Sequence, residues 1–230
     1  MTAGNRTFNP ALLTPTLTQV CGREKSMNGA LGLAGLLASR LCHDLSGPVT
    51  GVASALELAL DEQPQSEALL AAEEAATVLN ARLRLLRAAW GPDPLPLSLS
   101  EIAGMTAGLP GAPRIAADLS ALAARPELSP KLARVLLNVL LLAAEALKGA
   151  GRISAALSGM DIAILIQGKR AAWPEHLAQA LQDPDAAISA VQSSRYVQAP
   201  LTSLIAREAG IRLSLLVATG DFPAALLIST

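Results

Sequence analysis

Apolar positions spaced by threes and fours run through residues 28–60, where Leu37 or Ala38, Leu41, Leu45, Pro48, Val52, Leu56 and Ala59 form one seam. At 3.6 residues per turn these positions share a face, so the pattern predicts a long amphipathic helix. Asp61, Glu62, Gln63 and Pro64 break it, and Ser66 followed by Glu67 reads as the start of a second helix. That helix carries a heptad of Leu69, Ala72, Ala76, Leu79, Leu83, Leu86 and Trp90, while Glu73, Thr77, Asn80, Arg84 and Arg87 line its far side. Two such helices joined by a short turn make an antiparallel hairpin. Their apolar stripes are wider than one neighbour can cover. Either an identical chain completes a four-helix bundle, or the second half of the same chain covers the excess. The regular heptads favour a two-fold homodimer.

The pattern changes after GPDPLPLS, residues 91–98, whose prolines mark a linker. Beyond it, strands are predicted at 114–118, 151–157, 162–167 and 211–218, with a final edge strand at 224–229. Helices are predicted at 129–147, 174–181 and 200–209, the first with Ser129 as cap and Pro130 in its first turn. This order implies an α+β fold in which one sheet is covered by helices. Residues 1–26 are punctuated by Thr, Asn and Pro and lack periodicity. They read as a flexible leader, with Met27 as an alternative start. The expected organisation is therefore a leader at 1–26, a hairpin at 27–90, a linker at 91–98 and an α/β sandwich at 99–230.

Composition narrows the function. Of 230 residues, 51% are apolar but only 2% aromatic, so the core must be built from Ala, Leu, Val and Ile. Eighteen basic residues against 19 acidic ones leave no electrostatic footprint for nucleic acid or an anionic membrane. Cys21 and Cys42 suggest neither a disulfide framework nor a zinc site, and no signal-peptide pattern opens the chain, so a cytoplasmic location is expected.

Two histidines occur in the whole chain, and one of them falls within LASRLCHDLSGPVTG, residues 37–51. His43 lies two residues from both Leu41 and Leu45, roughly 160–200° around the helix from the apolar seam. Its neighbours at three and four residues are Ser39, Arg40, Ser46 and Gly47. An imidazole in a row of small polar residues can be approached closely by another macromolecule, as a phosphate-accepting histidine requires. A solvent-facing histidine with no chemistry is the bland alternative. Asp44 is placed to orient the ring or to complement charge on it. Pro48 lacks an N–H, which removes the usual partner of the Asp44 carbonyl, while Gly47 and Gly51 keep the surface low. A turn centred near Gln63 puts residue 43 at the height of residues 83 and 84. Arg84, with Arg82 or Arg87 nearby, would then offer positive potential to a phosphorylated His43, unless these cations only complement the helix dipole. His176 reads as an ordinary surface helix position, and Glu145 and Lys148 as exposed or capping groups.

HDLSGP resembles the H-box of histidine kinases and, more closely, the corresponding segment of ChpT-type histidine phosphotransferases of alphaproteobacteria. The likeness continues through ARLRLLRAAWGP, LLNVLLLAAEALKGAGRISAAL and APLTSLIAREAGIRLSL, and so spans roughly residues 30–230 in order. It implies a dimeric four-helix bundle followed by a degenerate histidine-kinase-like ATP-binding sandwich. His43 would accept phosphate from the receiver domain of a hybrid kinase and hand it to response regulators in a phosphorelay. Arg40, Asp44, Ser46 and Gly47 become candidate partner contacts.

In kinases the nucleotide helix reads Asn-x-x-x-Asn-Ala. Here Asn138 and Ala143 remain, but Leu142 takes the place of the second asparagine, which helps hold magnesium. QGKRAAWPEH stands where Asp-x-Gly-x-Gly is expected, and YVQAPLTS replaces the Gly-rich phosphate loop. The resemblance therefore implies no cofactor of its own, with magnesium coming from the partner receiver domain. A diverged ATP-dependent kinase and a non-catalytic dimeric adaptor are the competing readings.

Overall fold

Two antiparallel helices form one end of the molecule, α1 (Leu17–Asp61) and α2 (Glu67–Trp90), with Gly51 of α1 lying against Ala75 of α2. The structure is a computed structural model that describes residues 17–61, 67–125, 127–216 and 224–230, and only the helix path for residues 17–28, 60 and 61. Helix α1 starts at Leu17, so residues 17–26, expected in an irregular leader, are helical. That stretch has no apolar periodicity, but it contains no proline and a single glycine, and an established helix extends through such a segment at little cost. Residues 1–16 of the expected leader lie outside the described residues. Pro48 sits inside α1 without ending it.

The apolar seam of the hairpin is only partly covered within one chain. Ala55, Ala72, Leu85 and Leu86 are buried, whereas Leu41, Leu56, Leu69 and Leu83 are each between 37% and 49% exposed. The last turns of α2 are the best covered. Leu85, Leu86, Ala88 and Ala89 enter the core of the second half of the chain.

Helix α3 (Leu99–Met105) follows the linker and was not expected. Its signal is a capping box, in which the Ser98 hydroxyl accepts from the Glu101 backbone N–H and the Glu101 carboxylate accepts from the Ser98 N–H. The turn after it presses Gly108 onto α2, where a Cβ would strike the Ala81 carbonyl. Only glycine fits there.

Five strands form the sheet: β1 (Ile115–Asp118), β2 (Gly151–Ser158), β3 (Asp161–Gln167), β4 (Arg212–Leu215) and β5 (Leu226–Ser229). Their spatial order is β1-β2-β3-β5-β4, parallel between β1 and β2 and antiparallel elsewhere. The expected edge strand at 224–229 is instead interior. Ile228 pairs with Ile162 on one side and Leu213 on the other, and Leu226 and Ile228 are fully buried. Strand β4 takes the edge and is shorter than the expected 211–218, with Ile211 and Leu216 outside it, while residues 217 and 218 fall outside the described residues.

Helices α4 (Pro130–Ala146), α5 (Leu177–Gln182) and α7 (Gln198–Ala209) contact the sheet, and α6 (Pro184–Ala190) packs on α5 and α7. Isoleucines at 153, 162, 164, 166 and 228 alternate along the strands to supply the covered face, as the period-2 geometry of a strand requires. Ser129 caps α4 by accepting from the Leu132 N–H, with Pro130 in the first turn. Helix α6 was also missed, although Asp183 followed by Pro184 carries the same kind of start signal, with Asp183 accepting from the Ala186 N–H. Most residues of α4 are buried, since it packs against α2 and α7 as well as against the sheet. Asn138, fully buried, joins those three helices. Its Nδ2 donates to the carbonyls of Ala89 (2.7 Å) and Arg134 (2.9 Å), and its Oδ1 accepts from Gln198 Nε2 at 3.2 Å.

Candidate functional site

His43 projects from α1 with 67% of its side chain exposed. Asp44, the next residue, turns the other way and is largely covered. Its Oδ1 stands 3.3 Å from His43 Nδ1, and its Oδ2 accepts from Arg40 Nε at 2.9 Å. An ionised carboxylate has only acceptor atoms, so this contact selects the tautomer with hydrogen on Nδ1. The lone pair is then on Nε2, the ring nitrogen that does not face Asp44.

Arg40 was expected on the exposed row beside His43. One turn of α1 rotates it inward, and it is buried, with Nη2 donating to Glu145 Oε1 of α4 at 2.5 Å. Its surroundings explain this. A guanidinium excluded from water needs carboxylate partners, and Arg40 has two, Asp44 from its own helix and Glu145 from the other half of the chain. Burial alone would lower the pKa of Arg40, but the two carboxylates outweigh it and raise it.

Glu145 is likewise not the exposed or capping group expected from its place near a helix end. Burial pushes its carboxyl up to about 7, against the opposing pull of Arg40. The sequence holds no local sign of this role, because the partner lies 105 residues away.

Of the three arginines considered on α2, Arg82 is the one that joins the cluster. Burial depresses its pKa, with Asp44 the largest opposing influence and Arg40 and Glu145 also within its field. Its Nε and Nη1 are buried without a hydrogen-bond partner among the described residues. Arg84 is exposed and lies near Glu101 of α3, whose carboxyl is held low by the Ser98 hydrogen bonds and to a smaller extent by Arg84. Arg87 is exposed. The height match between residue 43 and the low eighties of α2 thus reappears as the approach of Asp44 and Arg82.

On the exposed side, the Ser46 hydroxyl donates to the Cys42 carbonyl at 2.6 Å, Gly47 has nothing near the position of a Cβ, and Pro48 is half-buried. These small residues leave open ground one turn beyond His43. Ser39 Oγ, one turn before it, lies 3.4 Å from Ser194 Oγ, a second link to the sandwich. Nearby, a cleft of about 510 Å³ opens between the end of α4 and residues 172–176 and 195–199, and Leu142, Glu145, Lys148, Trp173 and Arg195 line it. His176, at the N-cap of α5, is half-buried there and packs edge-on against Tyr196, with centroids 5.4 Å apart.

A family model, the histidine phosphotransferase C-terminal domain, matches residues 99–220, more than half of the chain. The chain belongs to the histidine phosphotransferase family. The chain is similar to the protein phosphotransferase ChpT of Brucella abortus (strain 2308), with 29% identity over 204 residues, 81% of this chain and 90% of that protein. So long an alignment must extend beyond residues 99–230 into the hairpin. A solved bacterial phosphotransferase superimposes with a TM-score of 0.67 at 25% identity, covering 87% of this chain and 97% of that one. Family membership places the function of the chain in a phosphorelay. Among the described residues, no helix is long and apolar enough to cross a membrane.

Proposed function

We propose that this chain is a histidine phosphotransferase that accepts a phosphoryl group from a receiver-domain aspartate on His43 Nε2 and passes it to the aspartates of response regulators. The observation that carries this reading is the pairing of an exposed imidazole with a screened carboxylate at its Nδ1. The Nε2 lone pair attacks phosphorus in line with the aspartyl oxygen. The N–P bond forms as the P–O bond breaks, and the electron pair remains on the departing carboxylate. Positive charge then spreads over the ring, and Asp44 stabilises it by accepting from Nδ1–H. Transfer onward runs the same steps in reverse with a second receiver. Magnesium in each receiver's acidic pocket neutralises the phosphoryl oxygens, so His43 needs only position and basicity.

Two further parts of the proposal come from the fold. The uncovered apolar residues of α1 and α2 pair with a second copy of the chain in a four-helix bundle, which presents two His43 side chains on opposite faces. The sandwich is a degenerate nucleotide-binding domain that retains a structural role. Leu142 stands where the second asparagine would help hold magnesium, and the QGKRAAWPEH segment carries no Asp-x-Gly-x-Gly pattern for magnesium-bound triphosphate. The chain therefore works without its own ATP-dependent kinase activity, in the cytoplasm where its receivers reside.

Incubating the full chain with a radiolabelled phosphorylated receiver domain, and separately with labelled ATP, tests the reading. Label should reach the wild type from the receiver and not reach His43→Ala. Label from ATP alone would instead support a diverged kinase. Equal labelling of wild type and His43→Ala would leave only the adaptor role.

A further inference from the structure

His43, Asp44, Arg40 and Glu145 form an unbroken relay of contacts. Nδ1 meets Oδ1 at 3.3 Å, Oδ2 meets Nε at 2.9 Å, and Nη2 meets Oε1 at 2.5 Å. Exposure falls sharply along it, from 67% at His43 to between 10% and 20% at the other three side chains. The water-exposed contact at Nδ1 is therefore the weakest, and it depends on a carboxylate whose orientation is fixed from behind. Arg40 does that fixing. A guanidinium is planar, and two acceptors on different nitrogens determine both its position and its plane. One of those acceptors is Asp44 itself. The other, Glu145, belongs to a helix whose neighbours are almost all fully buried, which makes it the rigid end of the relay.

We propose that Glu145 is a positioning residue for phosphoryl transfer at His43: by holding Arg40 it fixes the Asp44 carboxylate that keeps the Nδ1–H tautomer. The inference rests on the reading of His43 as the phosphoacceptor and extends it to the second half of the chain. Glu145 touches none of the reacting atoms. It acts by determining which ring nitrogen carries the lone pair. Without it, Arg40 has a single anchor and Asp44 can turn toward water, so the ring is free to carry its proton on Nε2, which moves the lone pair to Nδ1 and away from the incoming phosphoryl group. A sandwich that supplies no nucleotide chemistry would then still serve the transfer as the frame against which the imidazole is set. Precise chemistry placed on an exposed side chain needs such support from a buried layer.

The experiment uses the full-length chain in wild-type, Glu145→Gln, Glu145→Ala and Glu145→Asp forms, with folding checked by circular dichroism. Long-range ¹⁵N–¹H spectra report the tautomer of each imidazole, and His43→Ala assigns the resonances, since there are only two histidines. Phosphoramidate serves as a small phosphodonor. Nε2–P forms, the donor's P–N bond breaks and ammonia leaves. The expected result is a predominantly Nδ1–H form of His43 in the wild type, a shift toward Nε2–H in the Gln and Ala variants, and uptake slowed about tenfold in both. Glu145→Asp, which keeps the carboxyl group, should recover part of both signals. Variants that lose stability but keep the wild-type tautomer and uptake rate would make Glu145 only a tie between the two halves and overturn the proposal. Should the Glu145 variants fail to fold, Arg40→Lys reads the same link, because an ammonium has no fork to span both carboxylates; an unchanged tautomer there overturns it equally. Wild-type protein that takes up no phosphate at His43 from either donor would instead sink the phosphoacceptor reading, with the tautomer measurement still reporting the relay.

Discussion

Asp44 faces His43 with one carboxylate oxygen and Arg40 with the other, so a single side chain joins an exposed ring to a buried cation. Replacing it with asparagine preserves size but puts an amide where an acceptor is needed. Asp44→Asn should slow phosphoryl uptake by about 10²-fold, within the usual range for a lost proton-handling partner, and also lower stability, since it removes one of the two carboxylates that face buried Arg40. Rapid-quench measurement of transfer from a phosphorylated receiver checks this. A rate within twofold of wild type would remove Asp44 from the chemistry.

Among the described residues Arg82 has two buried donors without partners, a cost of about 1–3 kcal/mol for each such group, and its positive charge acts on Asp44, the carboxylate behind His43 Nδ1. Arg82→Gln should therefore lower the rate or extent of His43 phosphorylation several-fold while leaving the thermal stability of the unphosphorylated chain unchanged or higher. Arg84→Gln, at an exposed position, should have the smaller effect. Parallel uptake assays and melting curves of the two variants decide between them, and the opposite order would restore Arg84 as the supporting cation.

Glu145 confers a pH dependence whose direction follows from its raised pKa. A carboxyl that titrates near 7 in the folded chain and near its ordinary value when unfolded binds its proton more tightly when folded. Its contribution is complete below about pH 4.5 and is lost as pH rises toward 7, by at most about 3 kcal/mol. The charged groups facing it are Arg40 and Asp44 from α1 and Arg82 from α2. Urea unfolding at pH 5 and pH 8 should show the advantage of wild type over Glu145→Gln shrinking across that interval. Parallel pH profiles for the two proteins would contradict it.

Asn138 occupies a position that in the kinase pattern belongs to the nucleotide helix, yet its side chain is spent on the Ala89 and Arg134 carbonyls and on Gln198. Asn138→Leu strands several buried polar groups at once. It should cost about 2–4 kcal/mol in chemical denaturation, and with no direct contact to His43 it should leave the transfer rate of the folded fraction near wild type.

The uncovered leucines of the hairpin predict a dimer in solution. Burying Leu69 and Leu83 against a second copy contributes about 1.5–3 kcal/mol for each side chain. Analytical ultracentrifugation should find twice the chain mass for wild type and a single chain mass for the Leu69→Glu, Leu83→Glu double variant. A monomeric wild type would show that the apolar stripe has another purpose.

Periodicity was enough to read the hairpin, the α4 cap at Ser129 and the β2–β3 pair, because each is written in neighbouring residues. The exposed imidazole was legible for the same reason. What stayed hidden depended on distance along the chain. Arg40 looked like part of the polar row of α1, and only Glu145, 105 residues away, draws it into the interior. The choice of Arg82 over Arg84 was equally closed to a height argument, which fixes a level along two helices but not the rotation of each. The misplaced final strand has the same origin, since local pattern marks a strand but not its neighbours. Helices α3 and α6 are different. Their capping signals were in the sequence, but both elements are too short for periodicity to reveal them.

The seating of β5 between β3 and β4 has a consequence for biosynthesis. Residues 212–215 precede residues 226–229 in the chain but have no ladder partner until the later ones emerge from the ribosome. A nascent polypeptide stalled in between would hold two naked strand borders, the usual invitation to mispairing. Residues 226–229 thus act as a keystone, and tags or deletions there should harm solubility far more than similar changes in the linker at 91–98.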